Sequence, residues 1–219
     1  MKKHFFSFIL MAALFAAVVV SCDKDDDDDD YSLPTPLIGG LSGIIEGKPA
    51  LRDSVGINFT KITNFLTLYD VDFRDFVETS QIINGKFIFS SLPTPPTKNL
   101  ELFNQKNIKI SNKNAKTCIL NISSYTKYEE KYNRGERLYH INSPDTMVLY
   151  IYADQDVKIK GTFYDSDMEI NNRTKINMNL IKGWNSILKI NCGSDSQGFI
   201  SEMKNGKPSL DAKWTADVL

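Results

Sequence analysis

The run Met147-Val-Leu-Tyr-Ile-Tyr152 constrains this chain more than any other stretch. It has no polar side, so a strand here must be covered on both faces. Asp154-Gln-Asp156 makes a turn after it. Val157-Lys-Ile-Lys-Gly-Thr-Phe163 then alternates strictly, as a strand does when only one face covers a core. Thr174-Lys-Ile-Asn-Met-Asn-Leu180 alternates again, Lys182-Gly-Trp-Asn185 turns, and Leu188-Lys-Ile-Asn-Cys192 returns. A doubly covered strand with singly covered neighbours belongs to stacked β-layers.

The rest of the body reads the same way. Leu41–Glu46 and Ser54–Thr60 are strand-like and are separated by Gly47 and Pro49. Residues 65–73 alternate, and 82–89 carry Asn84-Gly85, the pair that supplies the positive φ angles of a tight hairpin turn. Short strands are expected at 100–103 and 108–110, a longer one at 117–123, and a last one at Lys213-Trp214. The stretch 124–142 is charged and rich in tyrosine, and a short helix, a charged hairpin or a loop insertion all fit it. No run has the period of an amphipathic helix of ten residues. The fold class is all-β: an antiparallel β-sandwich of immunoglobulin or transthyretin type over residues 37–219, as one sandwich or two small packed ones, with a sub-boundary near 111–116.

The beginning of the chain supplies an address. Lys2 and Lys3 precede an apolar run over 5–20, broken only by Ser7, and then small Ser21 and Cys22. That is the layout of a secretory signal over residues 1–21, and the run is short of the roughly 20 residues a membrane helix needs. Val19-Val-Ser-Cys22 resembles the lipobox of bacterial lipoproteins. The resemblance implies cleavage before Cys22, lipid on that cysteine and palmitate-type acylation, so the membrane is the first expected partner. Asp25, Asp26, Asp27, Asp28, Asp29 and Asp30 follow without a break. A block of like charge stays solvated and extended, and residues 22–36 read as a lipidated tether stiffened by Pro34 and Pro36. The acidic run also resembles the signal that sends Bacteroidota lipoproteins to the outer face of the outer membrane, which implies a surface location.

Candidate chemistry in the body is sparse. From Tyr31 on there are 23 Lys and Arg against 20 Asp and Glu, too mild and scattered a balance for nucleic acid. His4 lies in the signal, so His140 alone is left to serve a catalytic triad, and no nucleophile-elbow pattern surrounds it. His140, Cys118 and Cys192 lack the paired spacing of a zinc site, and neither metal nor cofactor is expected. Cys118 and Cys192 each sit on the apolar parity of a strand, which suits either a disulfide between them or two separate buried thiols. Glu129-Glu130 and Asp154 with Asp156 are carboxylate pairs that a solvated face or a turn explains, and Asp165-Ser-Asp167 could offer calcium oxygens in a loop but lacks the Asp-x-Asp-x-Asp-Gly spacing. The better candidates for ligand contact are Tyr125, Tyr128, Tyr132 and Tyr139, whose rings with polar edges suit sugar faces or a partner protein. Asp53-Ser54-Val55 and Asp145-Thr146-Met147 resemble the three-residue O-glycosylation motif of exported Bacteroidota proteins, which implies modification of Ser54 and Thr146.

Several stretches together are similar to a group of Bacteroidota lipoproteins. They are Leu41-Ser-Gly-Ile-Ile, Asn84-Gly-Lys-Phe87 with Leu92-Pro93, Ser111-Asn-Lys-Asn-Ala-Lys116, Val148-Leu-Tyr-Ile-Tyr-Ala-Asp-Gln-Asp-Val-Lys-Ile-Lys-Gly161, Leu180-Ile-Lys-Gly-Trp-Asn185 and Lys213-Trp214. The resemblance implies a β-rich surface or periplasmic lipoprotein and brings no activity with it. The expectation is therefore a non-catalytic module anchored in the outer membrane that binds a glycan, a host protein or an envelope partner. A structural part of an envelope complex is the alternative, and a hydrolase is less favoured.

Overall fold

The computed structural model describes residues 32–46, 52–62, 76–128, 131–133, 136–165, 172–196 and 198–216. The strand expected at 65–73, Cys22 and the acidic run lie outside them. The described strands form one open, mostly antiparallel sheet. They are β1 (Leu41–Glu46), β2 (Ser54–Thr60), β3 (Glu78–Gln81), β4 (Lys86–Phe89), β5 (Glu101–Leu102), β6 (Ile108–Ile110), β7 (Lys116–Tyr128), β8 (Lys131–Asn133), β9 (Arg137–Ser143), β10 (Thr146–Ala153), β11 (Val157–Asp165), β12 (Asn172–Leu180), β13 (Gly183–Asp195), β14 (Gly198–Asn205) and β15 (Lys213–Thr215). The main path runs β4-β1-β15-β9-β7-β10-β13-β14-β12-β11-β6, and only β1 with β15 and β12 with β14 pair in parallel.

The doubly covered strand is β10. Leu149, Ile151 and Ala153 enter one hydrophobic cluster, and Val148, Tyr150 and Tyr152 belong to another on the opposite face. Its neighbours split in the same way: Ile119 of β7 and Ile187 of β13 join the first cluster, while Cys118, Leu120 and Ile122 of β7 and Trp184 and Leu188 of β13 join the second. The period of two thus feeds two cores from one set of strands. The first core is mainly aliphatic, and the alternating strands close it. Ile159, Phe163, Ile176, Met178, Leu180 and Met203 point inward while Lys158, Lys160 and Lys175 point out. The second core is aromatic and gathers Phe59, Phe87, Phe89, Tyr150 and Trp214. Because β7, β10 and β13 serve both, the two cores are not consecutive pieces of chain.

Two local features differ from the sequence reading, and one decides between the alternatives it left open. The Asn84-Gly85 turn forms as expected, with φ of 53° and 73° and reciprocal hydrogen bonds between Ile83 and Lys86 of 2.8 and 3.0 Å. Its arms then part, because β3 pairs with β2 and β4 with β1. The stretch 124–142 is a charged hairpin: β7 continues to Tyr128, β8 returns along it, and β9 follows.

The other difference is at the expected tether. Residues 32–37 are not a free spacer. Thr35 O accepts from Ser186 N at 2.8 Å, Leu37 N donates to Trp184 O at 2.9 Å, and Pro36 bridges Asn185. This strap continues along β13 where β14 ends at Asn205, and its backbone pairing is what overrides the extended, solvated character that Pro34 and Pro36 suggest.

β7 and β10 pair only through 117–119 and 151–153. Beyond that they part and β9 enters between them, pairing with β7 at Arg137 and Leu138 and with β10 at His140 and Ile141. The fork is filled by a buried polar chain in which Arg137 donates to Asn121 and Asn121 donates to Thr60. Burial lowers the Arg137 pKa from its ordinary value.

Candidate ligand-binding cleft

At one end the aliphatic core stays open. Across the sheet, Ile141, Met147, Lys189, Met203 and Ile176 stand in register as one row. Two residues further along, Asn191, Ser201 and Thr174 stand in register as the next. The inward face therefore changes from apolar to polar within one step. Asn191 N donates to Asp145 O at 2.7 Å, which ties the β9–β10 turn to the rim. β13 bulges between Asn191 and Ser194, with Gly193 at a φ of 89°, and a bulge bends its strand locally.

The result is a cleft of about 260 Å³. Ile141 and Met147 give it an apolar floor, and Phe199 stands at its mouth, 53 % exposed. Asn172, Asn191 and Ser201 bring hydroxyl and amide groups to it, and Thr146 lines its edge. The Thr174 and Ser201 hydroxyls hydrogen-bond each other at 2.9 Å, which fixes both rotamers. Lys189 brings a cation, and burial, then the like charge of Arg137, lower its pKa. Arg173 is ion-paired with Asp195 at the rim. Asp145 is the one carboxylate among the described residues lining the cleft. An apolar floor with a few converging polar groups is the usual make-up of a small-molecule site.

The residues singled out from the sequence fall elsewhere. Tyr125 is buried and stacks on Phe76 at 4.6 Å, so its ring is not on the surface. Tyr139 is half-buried, with the Arg137 guanidinium 5.4 Å from its ring centre. Tyr128 and Tyr132 pair through their backbones in the β7–β8 hairpin, opposite Lys131 and Lys127. Burial overrode the exposure expected from the polar sequence around Tyr125, because β7 runs on into a strand with neighbours on both sides. Ser54 opens β2 between Gln81 and Tyr125, and Thr146 opens β10 at the edge of the cleft.

Cys118 is a free, buried thiol, so no disulfide joins it to Cys192. Cys118 is level with Tyr152 and, through it, Trp184, eight residues from Cys192 along β13. At about 3.3 Å per residue that is roughly 25 Å, against a disulfide limit of about 7 Å between α-carbons. Burial, and after it the charge of Glu101, raises the Cys118 pKa to about 12.

His140 and the turn carboxylates have structural partners. His140 is buried in the aromatic core, with Nδ1 2.8 Å from the Tyr150 hydroxyl and its ring stacked on Trp214 at 4.4 Å. Burial pushes its pKa down to about 4, against the raising effect of a hydrogen bond to the Ala212 backbone. Asp154 accepts from Lys116 N and Asp156 from Lys182 N, both at 2.7 Å. Asn185, fully buried, accepts from Ile181 N at 3.1 Å and donates to Ile181 O and Gly183 O at 2.8 and 3.0 Å. The most distinctive stretches of the sequence therefore meet at one end of the fold, where they knit turns together.

The cleft residues Lys189, Asn191, Phe199 and Ser201 were not legible as a site. The pattern Leu188-Lys-Ile-Asn-Cys192 marks Lys189 and Asn191 as the solvent parity. In the structure that parity faces the mouth of the aliphatic core, because Leu188 packs against the aromatic one. No known family matches the chain, and neither does any curated protein or solved structure.

Proposed function

We propose that the body is a non-catalytic glycan-binding module held at the cell surface by lipid on Cys22. The cleft is the observation that carries the reading. Amide and hydroxyl groups from Asn172, Asn191 and Ser201 border an apolar floor, with the Phe199 ring at the mouth. Sugars offer hydroxyl edges and an apolar face, and this combination suits both. The volume of about 260 Å³ fits one or two sugar rings rather than a long chain. Binding is favoured over hydrolysis because glycoside cleavage uses two carboxyls about 5–10 Å apart, and Asp145 is the only acid among the described lining residues. His140, the one histidine outside the signal, is buried among aromatics. The anchor and the outer-membrane surface location rest on the signal, the lipobox-like Val19-Val-Ser-Cys22 and the acidic run. Two sandwiches back to back, of immunoglobulin or transthyretin type and sharing β7, β10 and β13, are the finer architecture that the two clusters support.

The test is titration of the purified protein with short oligosaccharides. Saturable binding should weaken at least tenfold in Phe199→Ala and in Asn172→Ala, with the melting temperature unchanged. No binding to any oligosaccharide, or binding indifferent to both substitutions, sinks the reading. A second reading, a component of an envelope complex, has its own support. Ile44, Ile83 and Ile88 are exposed around β4, at the end of the sheet, and exposed apolar groups of this kind mark protein contacts. A stoichiometric partner lost in Ile88→Lys would favour it.

A further inference from the structure

The amide of Asn191 is held one way round. Asn191 is on the side of β13 that Ile187 and Lys189 occupy, toward the aliphatic core, and it lines the cleft. The bulge that follows it ties one end of the amide, because Gly193 N donates to Asn191 Oδ1 at 3.0 Å. A backbone N–H only donates, so the atom it meets is the carbonyl oxygen, and the NH2 is the end left for the cleft. Asn191 N is tied as well, donating to Asp145 O at 2.7 Å. Ser201 is directly opposite Asn191 in register. Its hydroxyl bonds that of Thr174 at 2.9 Å. Whichever of the two donates, Ser201 Oγ keeps a lone pair with which to accept. The polar row thus sets a donor beside an acceptor. One row back, about 7 Å along the strands, are Met147 and Ile141 of the floor.

A ligand group that matches this arrangement has a small apolar end, a carbonyl to accept from Asn191 and an N–H to donate to Ser201. A sugar hydroxyl both donates and accepts, so it does not need the ordered pair, and it brings no apolar end. A carboxylate accepts at both oxygens and brings neither a methyl nor an N–H. The acetamido group of an N-acetylated amino sugar has all three parts within a few ångströms. We propose that the cleft selects acetamido sugars. The methyl rests on Ile141 and Met147, the carbonyl accepts from Asn191 Nδ2, and the N–H donates to Ser201 Oγ. Phe199, two residues from Ser201 on the same side of β14, is placed to meet the face of the sugar ring. The inference rests on the glycan reading and narrows it, with Asn191 as the residue that determines specificity.

Calorimetric titration of the full protein in a neutral detergent tests it with matched pairs of methyl glycosides. One set holds N-acetylglucosamine, N-acetylgalactosamine, N-acetylmannosamine and N-acetylneuraminic acid. The other holds the same sugars with a hydroxyl in place of the acetamido group. Every sugar that binds should lose about tenfold or more in affinity on that exchange, since a methyl in an apolar pocket is by itself worth about tenfold. Asn191→Asp keeps an acceptor for Gly193 N and puts a second oxygen where the NH2 was. It should weaken the acetamido sugars about tenfold, with the melting temperature unchanged and no loss for the hydroxyl sugars. Equal affinity for both sets, or binding of acetamido sugars undiminished in Asn191→Asp, overturns the selection and leaves a glycan site standing. Binding to neither set overturns it too, and if longer oligosaccharides also fail to bind, the glycan reading falls with it.

Discussion

The two cores use the same three strands and end differently. On one face of β7, β10 and β13, the aliphatic core runs into a polar mouth at Asn191, Ser201 and Thr174. On the other, the aromatic core is closed by flat rings. Trp214 lies on His140 at 4.4 Å with an interplanar angle of 6°, and Phe87 meets Trp214 edge-on at 5.4 Å. Gly43 permits this closure, since a Cβ there would sit 2.2 Å from Trp214 Cδ1. The difference separates two tasks. The sealed side holds the chain together, and the open side leaves polar groups at a mouth where the proposed ligand would sit.

The largest effects should therefore come from the sealed side. Trp214→Ala removes the ring that His140, Tyr150 and Phe87 all pack on, and should cost about 3–5 kcal/mol in urea unfolding. A cost under about 1 kcal/mol would mean that β15 is not part of the closure. The same side should also be the acid-sensitive one. The folded His140 pKa, about 4, is below the ordinary 6.5, so between those values the unfolded chain binds the extra proton. Stability from this group is complete above pH 6.5 and is lost as pH falls through that window. The slope approaches about 1.4 kcal/mol per pH unit, for a total loss of up to about 3 kcal/mol. His140→Asn should flatten the profile between pH 6.5 and 4. An unchanged slope would assign the acid loss to other groups.

A third substitution tests the turn end that serves both faces. Asn185→Ala removes the side chain that bonds Ile181 N and O at a part-buried turn, and lost hydrogen bonds of this kind cost about 1 kcal/mol each. The loss should appear with no change in ligand affinity, because Asn185 is at the far end of β13 from the cleft.

How much of this could be read from the sequence depends on how far each signal is local. Met147–Tyr152 announced a doubly covered strand, and 157–163 and 174–180 announced singly covered ones, because the period of two is written in adjacent residues. The Asn84-Gly85 turn was equally plain. The partners of those strands were not. Nothing local says that β3 leaves β4 for β2, that β9 enters the fork of β7 and β10, or that 32–37 extends the ladder of β13. These are pairings of distant residues, decided by the whole sheet. The site was hidden for the same reason. Tyr125 looks exposed by its polar neighbours and is buried opposite β2 with its ring stacked on Phe76. Lys189 and Asn191 look like solvent residues and line a cleft, because both parities of β13 face a core.

The smallest effect separates the faces most cleanly, and it comes from two phenylalanines near the same strand ends. Phe163 and Phe199 are both on strands that border the aliphatic core. Phe163 is buried within it, 7 % exposed, whereas Phe199 is 53 % exposed at the mouth. Phe163→Ala should cost about 3–5 kcal/mol, as buried aromatic truncations do. Phe199→Ala removes a ring that is largely in water, and exposed substitutions of this kind stay within about 0.5 kcal/mol. If stability barely moves while oligosaccharide binding falls, the ring is there for a ligand. If Phe199→Ala costs as much as a core truncation, the mouth is a sealed part of the aliphatic core. The two ends would then differ in composition and not in task.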